Sequence, residues 1–278
     1  MVARTLLFAL IAGTSFCLAQ KGWNGPYPSP QIPRLESPPR IDADLSEWKY
    51  EAFHDGVWDV LRVRQSPWYN PRINRLTDHG SEPPLEEDLS ARYYLAWDDR
   101  YLYFGAEVRD NVNDVDDPAH SPERWYFKDA ICWFIEAPRH GLSQKFGKGD
   151  NAFCFVADAR KPPYGAWWRH GSPGKVFIEE PLPAQNVEYA IRMDPWKTAK
   201  GDFILEARAE MAPTLGRSDP AWRAPKIGDE YGLEIVHTDP DGGGYGGHLI
   251  LYGLGDDDAT WISARLIGPI RAPERRKE

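Results

Sequence analysis

The chain has 278 residues, with 42 acidic and 33 basic side chains and a net charge of −9. That balance argues against nucleic acid as a partner, because a phosphate backbone demands a basic surface. The 25 Pro and 24 Gly are scattered evenly among short strand-like runs, and no long amphipathic helix is convincing. The pattern predicts an all-β fold, a single β-sandwich of about ten or more antiparallel strands, rather than a doubly wound sheet.

Residues 1–19 read as a cleavable signal peptide: Arg4, then the apolar run "LLFALIAG", then small residues up to Ala19, near which cleavage is expected. The apolar run is too short for a membrane span, and no later one is longer. The expected mature protein is secreted or periplasmic. Removing the signal takes one Arg and no acid, so the charge moves from −9 to −10. Residues 20–39 hold six prolines and no periodicity, and read as a Pro-rich leader. In "RIDADLSEWKYEAF", Asp44 and Glu47 have capping-box spacing before a turn of helix. A strand near 58–64 and a long polar loop follow.

"RYYLAWDDRYLYFGAEVRD" (92–110) carries six aromatic rings in nineteen residues. Leu102, Phe104, Ala106 and Val108 alternate with Tyr101, Tyr103, Gly105, Glu107 and Arg109, the period of a strand with one buried side. Asp98-Asp99-Arg100 suits the turn of a hairpin, so this stretch reads as scaffold. Further strands are expected in "DAICWFIEA" (129–137), "NAFCFVADA" (151–159), "VFIEE" (176–180), "VEYAIRM" (187–193), "DFILEARAEM" (202–211), "EYGLEIVHTD" (230–239), "GHLILYG" (247–253) and "WISARLIG" (261–268). The tail 269–278 is charged and expected to fray.

Cys132 and Cys154 sit in two of these strands. In an oxidising compartment they can pair; as buried thiols they would behave as small hydrophobes. The acidic loop "RDNVNDVDDP" (109–118) offers Asp110, Asp114, Asp116 and Asp117 as oxygen ligands for calcium, without EF-hand spacing; the alternative is a solvated acidic loop. "GGGYGG" (242–247) matches a dinucleotide motif literally, but a strand follows it instead of a helix, so no nucleotide cofactor is expected. No metalloprotease, zinc or Ser-nucleophile motif is present, and no carboxylate pair stands out for glycoside hydrolysis.

The chain has 12 Trp. Trp48, Trp97 and Trp133 fall in element interiors and read as core. Trp125 precedes a strand and Trp261 follows the acidic turn "GDDDAT", positions that resist a core explanation. Trp167 and Trp168 lie in "KPPYGAWWRHG", read as a loop; two adjacent residues of an extended chain cannot both point inward, so Trp168 is a third candidate for ligand contact. A flat indole covers the C–H face of a sugar ring at little rotamer cost.

Taken together, "IDADLSEW", the 91–110 hairpin, "WYFKDAICWFIEA", "GDFILEARAEM", "IGDEYGLEIVHTD" and the closing Trp-containing strand resemble the family 9 carbohydrate-binding modules. The resemblance covers residues 40–268. It implies a secreted β-sandwich that binds sugar chains between aromatic residues, with structural calcium nearby, often associated with glycoside hydrolases. It implies Trp125 and Trp261 as the two walls, with Asp129 in the strand motif and Asp258 standing for the Asn before the second Trp. Cys132 stands where the family carries a Glu, and its Arg falls near Phe155. The family register sets Cys132 and Cys154 on opposite faces, against a disulfide.

The expectation is therefore a non-catalytic carbohydrate-binding protein, taking a poly- or oligosaccharide and serving polysaccharide breakdown by glycoside hydrolases in trans. The alternatives are a haem-binding sandwich, for which Met193, Met211 and His237 are available, and a glycoside hydrolase in its own right.

Overall fold

Two antiparallel sheets face each other across a layer of aromatic side chains. The computed structural model describes residues 29–56, 69–70, 75–76, 89–115, 124–140, 147–158, 165–171, 177–240, 248–253 and 257–270. The expected signal peptide, most of the expected leader, the strand expected near 58–64, Asp116, Asp117, "GGGYGG" and the end of the tail lie outside the described residues. In chain order the strands are β1 Gln31–Pro33, β2 Phe53–Gly56, β3 Tyr69–Asn70, β4 Arg75–Leu76, β5 Ser90–Trp97, β6 Tyr101–Arg109, β7 Ala130–Glu136, β8 Asp150–Val156, β9 Gly165–His170, β10 Phe177–Pro181, β11 Val187–Met193 and β12 Phe203–Glu210. The helix α1 Met211–Ser218 follows, then β13 Glu230–Thr238, β14 His248–Ile250 and β15 Ile262–Ile267.

The first sheet has the order β1-β15-β13-β7-β8-β9-β10, with β14 beside β13; the second runs β11-β12-β6-β5-β2; β3 and β4 pair apart. Among the described strands, only β1 joins its neighbour in parallel. That pairing draws residues 31–33 of the Pro-rich stretch into the sandwich.

The interior is set by alternation. Trp133 of β7 meets Phe104 of β6 at 5.3 Å and Tyr93 of β5 at 6.4 Å between ring centroids, and Phe104 also meets Phe153 and Phe155 of β8. Leu102, Phe104, Ala106 and Val108 are fully buried, as their period predicts. The opposite face of the hairpin is covered as well, which its alternation did not suggest. Residues 41–52 fold over it, and Trp48, Leu45, Tyr94 and Tyr103 form a second small core there. Gly105 makes room: a Cβ on it would lie 3.0 Å from Leu45 and 3.1 Å from Trp48.

Glu206 of β12 holds this cover in place. Its carboxylate accepts the Trp48 indole N–H and the backbone N–H groups of Asp42 and Ala43, each at 2.8 Å. The capping box expected nearby is not reciprocal. Asp44 accepts the Ser46 N–H across the 3-10 turn Leu45–Glu47, while Glu47 accepts from the backbone of Arg40. At the hairpin turn Asp98 accepts the N–H groups of Arg100 and Tyr101, both at 2.7 Å.

Two further expectations are corrected. "GAWWRH" is strand β9, not loop, and both indoles are buried, Trp167 at 1% and Trp168 at 8% exposure. Adjacent strand residues point to opposite faces, and here both faces are covered: Trp167 stacks on Phe153, and Trp168 lies under Trp125 and Tyr126. The cysteines are direct partners across β7 and β8, hence on the same face, and form a disulfide. In the chain lacking residues 1–19, which hold Cys17, Ellman's reagent should find no free thiol after denaturation without reduction. Reduction should cost on the order of 3 kcal/mol for a 22-residue separation. Two titratable thiols would show that the pair does not form.

Candidate functional site

Because Trp133 points inward on β7, its neighbours Cys132 and Phe134 point to the outer face of the first sheet. Strand register builds a row there: Phe134 opposite Ala152, and Ala152 opposite Trp168. Phe134 and Trp168 are two strands apart, about 10 Å, with the small Ala152 between them. Each carries a second ring. Trp261 packs on Phe134 at 5.5 Å between centroids, and Trp125 on Trp168 at 5.6 Å. His248 stacks beyond Trp125 at 20° between planes, and Tyr126 flanks Trp168. The next row holds the disulfide. Two aromatic pairs thus stand on one sheet face, on either side of a small residue.

Trp125 and Trp261 are each only 3% exposed. The two loop-edge indoles are therefore packed, and their position in the sequence did not reveal it. Trp125 opens the 3-10 turn Trp125–Phe127, tied to the sheet by the Thr238 hydroxyl, which donates to the Lys128 carbonyl at 2.6 Å. Trp261 ends the turn Asp258–Thr260, its N–H donating to the Asp258 carbonyl at 3.1 Å. Arg139 grips that turn, donating to the carbonyls of Asp258 and Trp261, each at 3.0 Å. Beside it Glu234, on β13 opposite Phe134, accepts backbone N–H groups from Ile235, Tyr252 and Gly253, and burial pushes its carboxyl up to about 8.

Of the other predicted site residues, Asp110, Asp129 and Asp258 fall into two buried acid clusters. In each, one ligand atom per residue lies within 4.8 Å of the others. The first joins Asp110, Asp129 and Asp239 at one end of the sheet. Asp129 also accepts the N–H of Asp114 and returns its own N–H to the Asp114 carbonyl. Asp129 is therefore part of an acid cluster, which Asp114 meets through its backbone. The second cluster joins Asp258 to Glu136 and Asp150. Burial, then Asp258, then Glu136, pushes the Asp150 carboxyl up to about 9.

Asp239, Glu136, Asp150, Phe134 and Arg139 were not anticipated. Glu136 left one signal, a carboxylate closing the otherwise apolar strand "AICWFIE". The residues available to a haem do not converge. His237 is fully buried, held near pKa 3 by burial, and hydrogen-bonded through Nδ1 to the Tyr93 hydroxyl at 2.7 Å. Met193 pairs with Phe203 at one end of β12, and Met211 follows its other end.

A family model described as carbohydrate family 9 binding domain-like matches residues 66–271. The chain belongs to that family. Solved structures agree on the fold of this family 9 domain. A family 9 carbohydrate-binding module from Caldicellulosiruptor kristjanssonii, solved with cellotriose and again with glucose, is 14% identical with a TM-score of 0.50. It covers 89% of this chain, and 98% or 100% of the module in the two structures. A Bacteroides uniformis protein for which carbohydrate binding is suggested is 8% identical, with a TM-score of 0.54, covering 86% of this chain and 100% of the other. No curated protein matches the sequence. The sandwich expected from the alternation and the resemblance is the fold of this family 9 domain. Among the described residues no helix is long and apolar enough to cross a membrane.

Proposed function

We propose that this family 9 domain is a non-catalytic carbohydrate-binding protein that takes a sugar ring on the outer face of the first sheet. Trp261 with Phe134 would form one wall, Trp125 with Trp168 the other. The observation that carries the reading is the spacing of these two aromatic pairs across Ala152. An aromatic face matches the C–H face of a pyranose, and hydroxyls at its edge need polar partners. The related module's complexes with cellotriose and glucose support a glucan as the first ligand to try. Since the indoles are packed, a sugar must open one ring pair to reach them, and tryptophan fluorescence should change on titration.

The signal-like residues 1–19 support export, and the family resemblance supports a role in trans beside glycoside hydrolases. A glycan array followed by fluorescence titration with cello-oligosaccharides tests the binding. Binding to glucans without release of reducing sugar is the expected result; no retention on any glycan would remove the reading, and sugar release would replace it with hydrolysis.

Calcium fits the first acid cluster. Asp110, Asp129 and Asp239 are 2%, 1% and 4% exposed, and hard cations take several converging carboxylate oxygens. A bound ion would join the chain after β6, before β7 and after β13. Chelation should therefore lower the melting temperature. A ligand confined to the folded state stabilises it by about 3 kcal/mol at a hundredfold excess over its dissociation constant. An unchanged melt in EDTA would count against this site.

A further inference from the structure

We propose that Trp222 carries a second sugar site, beside α1, which takes one neutral pyranose ring in a cleft separate from the two aromatic walls. Each other described tryptophan has another ring or a guanidinium packed on its indole. Trp222 has neither among the described residues, and it is only partly buried. Its ring is seated on a glycine instead. A Cβ on Gly216 would lie 2.9 Å from Cε3 and 3.4 Å from both Cδ2 and Cζ3. An edge-on approach would leave those two flanking atoms clearly farther, so the indole lies over Gly216 face-on. One face is covered by α1, and the other is left for a ligand.

Trp222 lines a cleft of about 330 Å³ with Arg139, Arg223, Asp229, Glu230 and Tyr231. Ligand clefts run from roughly 300 to 1,000 Å³, so this one suits a single ring and not a chain. Its lining holds two guanidinium groups and two carboxylates, a balance that fits a neutral ligand. Asp229 accepts the Lys226 N–H on Oδ2 at 2.8 Å, and Glu230 the Ser263 hydroxyl on Oε2 at 3.2 Å. Each keeps its other oxygen among the described residues. Arg223 donates to the carbonyls of Pro220 and Trp222 through Nη1. These groups offer acceptors and donors to the hydroxyls at a ring's edge, while the indole meets its C–H face. The Tyr231 hydroxyl and Trp222 Nε1 are buried without a hydrogen bond. Burial, then the charge of Asp229, raises the phenol pKa; the indole N–H opposes this from nearby, without hydrogen-bond geometry. A ligand hydroxyl admitted between the two would satisfy both.

Arg139 is common to the two sites. It lines this cleft, and its guanidinium donates to the carbonyls of Asp258 and Trp261. Two sites on one domain would raise its retention on a polymer by avidity, with no change in either affinity. The Trp222 site stands on its own residues and does not need the walls.

The full chain should be labelled with fluorotryptophan, and the Trp222 fluorine resonance assigned by its loss in W222F. Glucose, galactose, mannose and xylose are then titrated in turn into wild type, W261A, D229N and E230Q. At least one of these sugars should shift the Trp222 resonance saturably in wild type, and equally in folded W261A. D229N and E230Q, both at exposed positions, should each weaken that response by roughly tenfold, the size of one hydrogen bond to a charged group. No shift with any of the four sugars would overturn the site. So would wild-type affinity in both D229N and E230Q, because the cleft would then contribute no polar contact. A shift that disappears in folded W261A would assign the response to the walls and overturn a separate site. Failure of binding at the walls, with the Trp222 resonance still responding, would remove the first site and support this one.

Discussion

Glu206→Ala is expected to destabilise the protein by about 3–6 kcal/mol, among the largest single-residue losses in the fold. The carboxylate takes three donors at 2.8 Å, from the Trp48 indole and the backbone of Asp42 and Ala43. Removing it leaves each donor without a partner, at roughly 1–3 kcal/mol apiece where burial is complete. Asp42 is partly exposed and water can serve it, which places the sum below the upper limit. The loss should come with detachment of residues 41–52 from the hairpin, seen as amide exchange in that segment ahead of the rest. Glu206→Gln keeps one acceptor oxygen but turns an NH2 toward donors, and should fall between wild type and Ala. A Glu206→Ala variant that melts with wild type would mean that the segment is held by packing of Trp48 alone.

Trp133→Ala is expected to cost about 3–5 kcal/mol, the range for deleting a large aromatic from a core. Trp133 is fully buried and touches Tyr93, Phe104 and Phe155, so it joins both sheets. Its indole N–H is buried without a hydrogen-bond partner. Trp133→Phe should therefore recover much of the stability despite its smaller volume, because it removes a polar group that has no acceptor. Equal losses in the two variants would show that shape, not the unpaired N–H, governs this position. Chemical denaturation with unchanged m-values is the appropriate measurement.

The strands were legible where one face is wet or where apolar runs are bounded by turn residues. Where both faces are covered the alternation fades, and β9 shows the result: "GAWWRH" after "KPPYG" reads as a loop because no polar face marks the period. Helix α1 was missed for a related reason. Pro213 and Gly216 look like breakers, but Pro213 lies in the first turn, where its missing N–H costs nothing. Gly216 leaves space for Trp222, whose ring a Cβ would approach to 2.9 Å. The same-face placement of Cys132 and Cys154 depends on register, which a single-residue slip reverses. Neither acid cluster has a local spacing to read, since each gathers one residue from each of three segments. Trp125 and Trp261 stand out in the sequence as residues, but their packing against Trp168 and Phe134 is set by tertiary contacts alone.

The central claim is that the two aromatic pairs on the outer face hold a sugar. Calorimetric titration of the best glycan into wild type, W125A and W261A tests it most directly. Because both indoles are buried, their truncation should also lower the melting temperature, so each titration must run well below the variant's transition. Anchoring aromatics commonly account for about 2 kcal/mol or more of binding, equivalent to a loss of roughly thirtyfold in affinity. The expected result is a loss of that size in each variant, with wild-type affinity retained in folded Trp133→Phe. Wild-type affinity in both W125A and W261A would contradict the account.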